Sequence, residues 1–499
     1  MNNVSERIPE DMQEFLEKER DKARKNRIKN RPIVLMTYIM VLTFLTMFGY
    51  IIYFVVKKAD TVVANSSNKR QDSFDKFIRR GDIITSDDVV IATSLYDDEG
   101  NEYRNYPYAG LFAHTVGYNS YGRAGIELAY NFDLMRSHVN VVEKLGNDLG
   151  NNKNPGDTVV TTLNYSLQSA AAEAMGDVKG AAVVMDASTG DILVMYSSPT
   201  FDPNYMDYVW EEVHSDEGSE STVLLNRCTQ GMYAPGSTFK VLTTIEYLQE
   251  HSDYESYSHT CNGEDVFNSV SIRCSNSTVH GDLDLAGSLA ESCNTSFANI
   301  GCNEIKMNKL HATAEKFLFN KNLPYEAGAY NKSEFVLDGS SDINMIPQTV
   351  IGQGDTLITP LHNCMIMQAI ANGGVMMRPR MVSEIENADG VKMSSTKPRA
   401  YGSVVDPEIT KKLIPMLTKV CTEGTAASYM AEKEYSVAGK TGTAEYDNNG
   451  NCNSWFVGFS NVEDPDIVVS VIVEDYTTNE TSGTYVASKI MDAYYTNIK

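Results

Sequence analysis

The sequence predicts an α+β fold in which one antiparallel sheet, covered by helices, is assembled from strands at both ends of a long C-terminal region. Two apolar strand patterns lie near residue 180 and are joined by a four-residue turn, whereas three further strand patterns lie close to the C-terminus. The sequence between these two groups has mostly helical periodicity. Near the N-terminus, an uncharged stretch of 25 residues predicts a single membrane-spanning helix.

The uncharged stretch runs from Pro32 to Val56 and follows a charged segment over residues 1–31 that we expect to be helical or partly disordered. As a helix it would measure about 37 Å, which exceeds the roughly 30 Å of a bilayer hydrocarbon core. The alternatives are a buried core helix and the apolar part of a signal peptide, but both are usually shorter, and no small-residue cleavage motif follows closely. We therefore expect an uncleaved anchor over residues 32–56.

The distribution of charge predicts the orientation of this anchor. Eight Lys or Arg residues lie in the fourteen residues before it, whereas only Lys57 and Lys58 follow it. The positive-inside rule therefore places residues 1–31 in the cytoplasm and everything after Lys58 outside. The net charge is −24, of which residues 1–58 contribute +4 and the remainder −28. Such an acidic chain argues against a nucleic-acid-binding protein and fits a solubilising surface.

Two domains are expected outside the membrane. A membrane-proximal module over residues 57–157 includes a strand-like segment, Arg80–Ile84, and ends in a linker rich in Gly and Asn. Residues 158–499 form the second domain. Its predicted elements are a helix over Leu163–Met175, strands over Gly180–Asp186 and Asp191–Ser198, a mostly helical middle over Ser237–Asn372, strands over Tyr435–Glu445, Ser454–Ser460 and Ile467–Glu474, and a helix over Thr484–Tyr495.

The eight cysteines all follow the anchor, and no C-x2-C pair occurs, so their spacing is not that of a zinc finger. The sequence also lacks a phosphate-binding P-loop motif and an H-E-x-x-H zinc motif, which argues against a P-loop NTPase and a zincin. Cys261 and Cys274 lie thirteen residues apart in a polar stretch. A disulfide and a pair of buried free thiols are both open interpretations of these two residues.

The first candidate catalytic motif is the S-x-x-K of Ser237 and Lys240, within the segment APGSTFK. A Pro-Gly turn precedes it and apolar residues at helical spacing follow, so Ser237 is expected at a helix N-terminus with Lys240 beside its hydroxyl. A neutral lysine would take the serine proton, and the helix dipole and a second cation would lower its pKa. The alternative is an ordinary helix cap, since S-x-x-K also occurs at Ser66, Ser73 and Ser394.

The second motif, S-x-N, is formed by Ser292, Cys293 and Asn294 after an apolar helical run. A loop between helices would present the Ser292 hydroxyl as a proton relay and the Asn294 amide as a holder of a substrate carbonyl or amide. Asn294 would also help to position Lys240. The alternative for an isolated triplet is an ordinary helix terminus, with Cys293 as a packed small side chain.

The third motif, Lys440-Thr441-Gly442-Thr443, is the only K-T-G in the chain and lies on the predicted strand Tyr435–Glu445. Gly442 would let a substrate backbone approach an edge strand closely and pair with it. Lys440 would supply the second cation, and Thr443 a donor for a terminal carboxylate. The alternative is an edge strand whose polar residues prevent aggregation.

The three motifs occur in a fixed order, with 55 residues from Ser237 to Ser292 and 148 from Ser292 to Lys440. In this respect the chain resembles the class B penicillin-binding proteins, which are monofunctional peptidoglycan D,D-transpeptidases. The resemblance covers nearly everything after the anchor and favours the compact subgroup with a short N-terminal region. Further matching segments are R-G-x-I at Arg80, GAAVVMDASTGDILVMYSSPTFDPN from Gly180, I-G-Q-G from Ile351 and W-F-V-G-F from Trp455.

The resemblance implies the serine penicillin-recognising transpeptidase fold, with a five-stranded antiparallel sheet flanked by helices and an additional helical subdomain. It implies that Ser237 attacks the D-Ala-D-Ala bond of a stem peptide, that Lys240 is its base, and that D-Ala leaves as an acyl-enzyme forms. Ser292 and Lys440 would carry the proton to the leaving amine. The residues implied at the substrate are Asn294, Thr441, Gly442 and Thr443, with the backbone N–H groups of Ser237 and Thr443 as the oxyanion hole.

The same resemblance implies an enzyme that needs no metal or organic cofactor and is acylated by β-lactams. The expected partners are peptidoglycan stem peptides, β-lactam antibiotics, the bacterial cell membrane and a polytopic glycosyltransferase of the shape, elongation, division and sporulation (SEDS) family. The roughly 100 residues between the anchor and the second domain are too few for a glycosyltransferase domain, which excludes a bifunctional class A protein. The alternatives are a serine β-lactamase or D,D-carboxypeptidase and, from another class, a membrane-bound β-lactam sensor.

Overall fold

The computed structural model describes residues 9–57, 76–215, 221–446, 450–478 and 481–499. The chain divides into two compact units, residues 1–68 and 69–499. In the first unit, a single helix, Glu10–Lys57, runs through the described part of the predicted tail and through the predicted anchor. This helix is long and apolar enough to cross a membrane.

The described part of the second unit contains both strands and helices. The strands are β1 (Ile78–Arg79), β2 (Ile83–Ile84), β3 (Val90–Tyr96), β4 (Glu102–Asn105), β5 (Asn154–Pro155), β6 (Thr158–Thr161), β7 (Gly180–Asp186), β8 (Ile192–Ser198), β9 (His259–Cys261), β10 (Glu264–Phe267), β11 (Val270–Arg273), β12 (Gly281–Leu283), β13 (Val375–Met377), β14 (Val382–Glu386), β15 (Lys392–Ser395), β16 (Ala400–Ser403), β17 (Val437–Glu445), β18 (Cys452–Ser460) and β19 (Ile467–Val473). The α-helices are Ala113–Val116, Gly125–Ala129, Asn131–Leu134, Val141–Leu149, Tyr165–Met175, Met206–Val213, Lys240–Glu250, Leu285–Ala290, Asn294–Asn299, Met307–Lys316, Ile346–Thr349, Pro360–Ala371, Pro407–Thr422, Ala427–Met430 and Gly483–Asn497.

The five strands predicted from the sequence form the central sheet. Their order is β17-β18-β19-β7-β8, and all neighbouring pairs are antiparallel. The observed bounds differ from the predicted ones by at most two residues. Every residue of β18 and β19 is buried, because helices Pro360–Ala371 and Gly483–Asn497 both pack against these two strands. The predicted α+β class is therefore confirmed.

A second, six-stranded sheet joins segments that are far apart in the chain, in the order β15-β14-β6-β2-β3-β4. Strand β2 pairs in parallel with β6, and β6 pairs antiparallel with β14. This sheet was not predicted as a unit, because most of its strands are short and because β2 and β15 lie more than 300 residues apart. It spans residue 157, where the sequence places its domain boundary, and the two-domain division remains a prediction.

The prediction of a mostly helical middle omits four strands. Residues 259–283 form two small antiparallel pairs, β10 with β11 and β9 with β12. These strands are only three or four residues long, and most of their residues are exposed or half-buried. They therefore lack the apolar alternation that marks a strand in a sequence. Along the chain, the two pairs lie between the S-x-x-K motif and the S-x-N motif.

A buried ion-pair cluster explains the R-G-x-I segment. Arg80 Nε donates to one carboxylate oxygen of Glu127 at 2.5 Å, and Arg104 Nε donates to the other at 2.7 Å. All three side chains are at most 7% exposed. A Cβ at Gly81 would lie 1.9 Å from Asp157 O, so the position admits only glycine. These contacts hold Arg80 and Gly81 in place directly before β2, the first strand of the six-stranded sheet in chain order.

Candidate active site

Ser237 lies on a short 3-10 turn, Gly236–Phe239, that leads into the helix Lys240–Glu250. The sequence places Ser237 at a helix N-terminus, and the structure inserts this tighter turn between the serine and the α-helix. Gly236 has a φ of +53°, and a Cβ there would lie 2.7 Å from Thr443 O. Glycine therefore lets the turn approach β17, which carries the K-T-G motif.

Two other segments that match the resemblance hold the same turn. Gly236 N donates to Gly352 O at 2.9 Å, and a Cβ on Gly352 would lie 1.8 Å from Gly236 O. Trp455 Nε1 donates to Ala234 O at 3.0 Å. The I-G-Q-G and W-F-V-G-F segments thus have a physical role, which is to clamp the loop that carries Ser237.

Lys240 is fully buried, and its ammonium group contacts the S-x-N motif. Its Nζ donates to Asn294 Oδ1 at 2.6 Å and to Ser292 O at 2.8 Å, and it lies 3.3 Å from Ser292 Oγ. Among the described residues, no hydrogen bond joins Nζ to Ser237 Oγ, the partner expected from the i, i+3 spacing. Burial lowers the pKa of Lys240 to about 7. A lysine in this state can accept a proton near neutral pH.

Lys440 contacts the same serine from the opposite motif. Its Nζ donates to Ser292 Oγ at 2.9 Å and to Thr441 O at 3.1 Å. Burial, and then the charge of Lys240, lowers the pKa of Lys440 well below its ordinary value. Lys440 was expected to lower the pKa of Lys240 as the second cation, whereas burial is the principal cause of the lowered pKa of both lysines.

The S-x-N motif is held in a tight backbone conformation. Ser292 has a φ of +54°, which is uncommon for a residue other than glycine. Asn294 is the first residue of the helix Asn294–Asn299, and not part of the loop as expected. Its amide is engaged at both ends, because Oδ1 accepts from Lys240 and Nδ2 donates to Arg273 O at 2.8 Å.

The K-T-G motif lies on β17, which is the edge strand of the central sheet, as predicted. Lys440 and Gly442 are buried, whereas Thr441 is half-buried and Thr443 is exposed. A Cβ at Gly442 would lie 3.0 Å from Trp455 Cβ and 3.1 Å from Thr238 Cγ2. Packing against the Ser237 loop is therefore a reason for glycine here, in addition to the substrate approach inferred from the sequence.

A cleft of about 740 Å³ brings the three motifs together. Lys240 and Lys440 lie beneath its floor, in contact with Ser292. Six of the eight predicted site residues line it: Ser237, Ser292, Asn294, Thr441, Gly442 and Thr443. Sequence reasoning gave no role in the site to four other lining residues, which are Arg273, His280, Gln353 and Thr425. His280 and Gln353 lie in segments that match the resemblance, whereas Arg273 and Thr425 do not.

Two family models match the chain. One is described as the penicillin binding protein transpeptidase domain and matches residues 180–495. The other is described as the penicillin binding protein A dimerisation domain and matches residues 80–159. Among curated relatives, the peptidoglycan D,D-transpeptidase PbpA of Mycolicibacterium smegmatis is 30% identical over 441 residues, which cover 84% of this chain and 88% of that protein.

Solved structures share the fold along most of the chain. A D,D-transpeptidase domain of a peptidoglycan glycosyltransferase from Eggerthella lenta is 32% identical, with a TM-score of 0.74 over 84% of this chain and 98% of that chain. Penicillin-binding protein A from M. tuberculosis, solved as an imipenem acyl-enzyme complex, is 26% identical, with a TM-score of 0.76 over 85% of this chain and 100% of that chain. This chain therefore belongs to the penicillin-binding protein transpeptidase family.

Proposed function

We propose that the chain is a serine-type peptidoglycan D,D-transpeptidase that cross-links stem peptides through an acyl-enzyme on Ser237. One observation carries this proposal. Two buried lysines contact the same hydroxyl, Ser292 Oγ, and this hydroxyl lies in the cleft that Ser237 also lines. The family membership and the acyl-enzyme structure of a relative support it.

In the first half-reaction, neutral Lys240 takes the proton of Ser237, and Ser237 Oγ attacks the carbonyl carbon of the penultimate D-Ala. The C–N bond breaks as the ester forms. The leaving amine of the terminal D-Ala needs a proton, and the contacts Lys240–Ser292–Lys440 provide a continuous route for it. One proton is thus taken from serine and one given to the amine.

In the second half-reaction, an amine of a neighbouring stem peptide attacks the ester carbonyl. The new amide bond forms, the proton of the amine returns to Ser237 Oγ, and the enzyme is regenerated. We infer that the backbone N–H groups of Ser237 and Thr443 stabilise the oxyanion in both steps. This assignment is supported by the packing of the Ser237 turn against the backbone of Thr443.

Substrate placement follows from the edge position of β17. Its partner on one side is β18, so an extended stem peptide has the other side available for main-chain pairing. Thr441 and Thr443 then lie where they can donate to the terminal carboxylate. Asn294 would orient the substrate amide once substrate binding rearranges its present bonds to Lys240 and Arg273.

We further propose that residues 1–31 lie in the cytoplasm and that the catalytic unit lies outside a bacterial cell membrane, anchored by residues 32–56. The asymmetry of Lys and Arg around the anchor supports this orientation. Protease added to intact spheroplasts should digest the catalytic unit and spare an N-terminal tag; the reverse pattern would overturn the topology.

The anchor and the membrane-proximal module are the surfaces we propose for contact with a polytopic glycosyltransferase of the SEDS family. Replacing residues 32–56 by an unrelated membrane-spanning segment should abolish co-purification of such a glycosyltransferase. If the glycosyltransferase still co-purifies with a variant in which the anchor is replaced and the module over residues 57–157 is also removed, the proposed contact is contradicted.

The decisive experiment is acylation of the full-length protein, purified in detergent, by a fluorescent penicillin, followed by peptide mass spectrometry. A stable adduct on the Ser237 peptide is expected, and Ser237→Ala should abolish it. Ser394→Ala is the matched control, because Ser394 begins another S-x-x-K sequence but lies on the exposed strand β15. An adduct that clears within seconds would indicate a β-lactamase, and labelling that survives Ser237→Ala would overturn the assignment of the nucleophile.

A further inference from the structure

Three cysteines and one histidine from separate segments meet beside the S-x-N motif. They are Cys261, Cys274, His280 and Cys293, and one donor atom from each lies within 4.8 Å of all the others. The three thiols are buried and the imidazole is half-buried. All three cysteines are free of disulfide bonds. We propose that this cluster binds one Zn²⁺ ion in a tetrahedral Cys3His site.

The distances within the cluster match those of a zinc site. Cys274 Sγ lies 3.6 Å from Cys261 Sγ and 3.8 Å from Cys293 Sγ, and Cys261 Sγ lies 3.3 Å from His280 Nδ1. With Zn–S bonds of about 2.3 Å, two sulfurs of a tetrahedron stand about 3.8 Å apart. Cys274 Sγ is thus nearly equidistant from the sulfurs of Cys261 and Cys293. This is expected when all three sulfurs bind one metal ion, whereas a disulfide would bring Cys274 close to only one of them.

Backbone amides point at the sulfurs. Gly263 N donates to Cys261 Sγ at 3.4 Å, and Ser296 N donates to Cys293 Sγ at 3.5 Å. The Cys261 thiol also lies 3.9 Å from Thr278 O, a longer contact. Amide donors of this kind stabilise metal-bound thiolates.

Two other buried cysteines provide a contrast within the same chain. Cys228 and Cys364 lie in the main core, and their Sγ atoms donate to backbone carbonyl oxygens. They behave as small apolar residues with a weak S–H donor. The cluster cysteines instead form a separate buried group with Leu283 as their partly buried apolar neighbour. A set of soft S and N donors that is segregated from the core favours Zn²⁺ over Mg²⁺ or Ca²⁺.

The proposed ion would join the 259–283 segment to the S-x-N motif. Cys274 follows Arg273, whose carbonyl oxygen accepts from Asn294 Nδ2 at 2.8 Å, and Cys293 directly precedes Asn294. Zinc bound by both cysteines would therefore hold Asn294 in the place where it accepts from Lys240. The zinc site stands on its own geometry, whereas this positioning role rests on the proposed function.

The first test is the zinc content of the wild-type, full-length protein, purified in detergent from zinc-supplemented medium. Elemental analysis should give about one zinc per chain. X-ray absorption should show three sulfur ligands at about 2.3 Å and one nitrogen ligand at about 2.0–2.1 Å. Three results would each overturn the proposal. The protein could lack zinc even after Zn²⁺ is added, its zinc could have only oxygen and nitrogen ligands, or Cys261 and Cys274 could form a disulfide.

The second test uses variants. Cys274→Ser and His280→Ala each remove a proposed ligand and should lower zinc affinity by more than the roughly tenfold to hundredfold that loss of an outer-shell partner costs. Cys302→Ser is the matched control, because Cys302 is a half-buried thiol outside the cluster, and this variant should keep its zinc. His280→Cys, which supplies a thiolate in place of the imidazole, should retain zinc. Equal zinc affinity in wild type, Cys274→Ser and His280→Ala, measured by competition with a chelator, would overturn the assignment of ligands.

The positioning role has its own readout. His280→Ala should slow acylation of Ser237 by a fluorescent penicillin, and His280→Cys should restore the rate together with the zinc. If zinc binds as proposed but acylation is the same in all three proteins, the ion is structural only and the positioning role fails. If the wild type binds zinc but is not acylated at all, the proposed function fails and the zinc site does not.

Discussion

Lys440 Nζ donates a 2.9 Å hydrogen bond to Ser292 Oγ, although the two residues are 148 positions apart in the chain. The same oxygen lies 3.3 Å from Lys240 Nζ, so one hydroxyl bridges two buried lysines that come from different motifs. The positive φ of Ser292 turns the S-x-N loop so that its carbonyl oxygen also accepts from Lys240. The three motifs are therefore one hydrogen-bonded unit.

The bridge predicts the effect of removing the hydroxyl. Ser292→Ala should slow acylation by a fluorescent penicillin by about a hundredfold or more, because general acid–base groups contribute that order of rate. Both lysines keep their backbone acceptors, Ser292 O and Thr441 O, so the variant should still fold. Ser275→Ala is the control, since Ser275 lines the same cleft without contacting either lysine. Acylation of Ser292→Ala at the wild-type rate would contradict the bridging role.

The pKa of Lys240 predicts a pH dependence. Burial lowers this pKa to about 7, and only the neutral amine takes a proton from Ser237. The acylation rate should rise roughly tenfold per pH unit below pH 7 and level off above it. Stopped-flow fluorescence between about pH 5.5 and 9 would measure it. Lys240→Arg, which stays protonated throughout, should remain inactive at every pH. A flat profile from pH 6 to 8 would contradict this role of Lys240.

Strands β7 and β19 of the central sheet were predictable because each is a largely apolar run of seven residues that is buried almost throughout on both faces. The three catalytic motifs were likewise found from residue type, spacing and order. Their hydrogen bonds were found only in part. The contact of Lys240 with Asn294 was expected and is present, but Lys240 was also expected beside the Ser237 hydroxyl, and its Nζ donates instead to Ser292 O. That pairing depends on where two distant loops meet, and sequence spacing carries no information about it.

The Cys3His cluster was missed for a related reason. Its members are separated by 13, 6 and 13 residues, so no C-x2-C pair marks the site. They meet because the small strand pairs of residues 259–283 fold back onto the S-x-N loop. Those strands are short and largely exposed, so they lack a clear strand pattern, and residues 259–283 were included in the predicted helical middle.

The clamp on the Ser237 loop predicts that Gly352→Ala abolishes acylation. The new Cβ would lie 1.8 Å from Gly236 O, so the turn that carries Ser237 must move. Gly390→Ala is the matched control, because Gly390 also has a positive φ but nothing lies within 4 Å of its Cβ position. The control should lose about 1 kcal/mol of stability and label normally. Comparable labelling of the two variants would show that the clamp does not position Ser237.

The buried carboxylate of Glu127 predicts a large loss of stability when its charge is removed. Burial alone would raise the pKa of Glu127, but the charges of Arg104 and Arg80 outweigh it and lower the pKa, so this group is ionised at neutral pH. Glu127→Gln leaves two buried guanidinium groups without a counter-charge and should cost about 3–5 kcal/mol of unfolding free energy.

Urea unfolding of the full-length protein in detergent, followed by tryptophan fluorescence and circular dichroism, would measure this cost. Glu408→Gln is the control, since Glu408 pairs with Lys411 on the surface, where both side chains are about 70% exposed. Removing that exposed pair should leave the unfolding free energy nearly unchanged. If the two variants were equally stable, Glu127 would not hold the arginines in place, and the R-G-x-I segment would owe its position to Gly81 and the strand pairing of β2 alone.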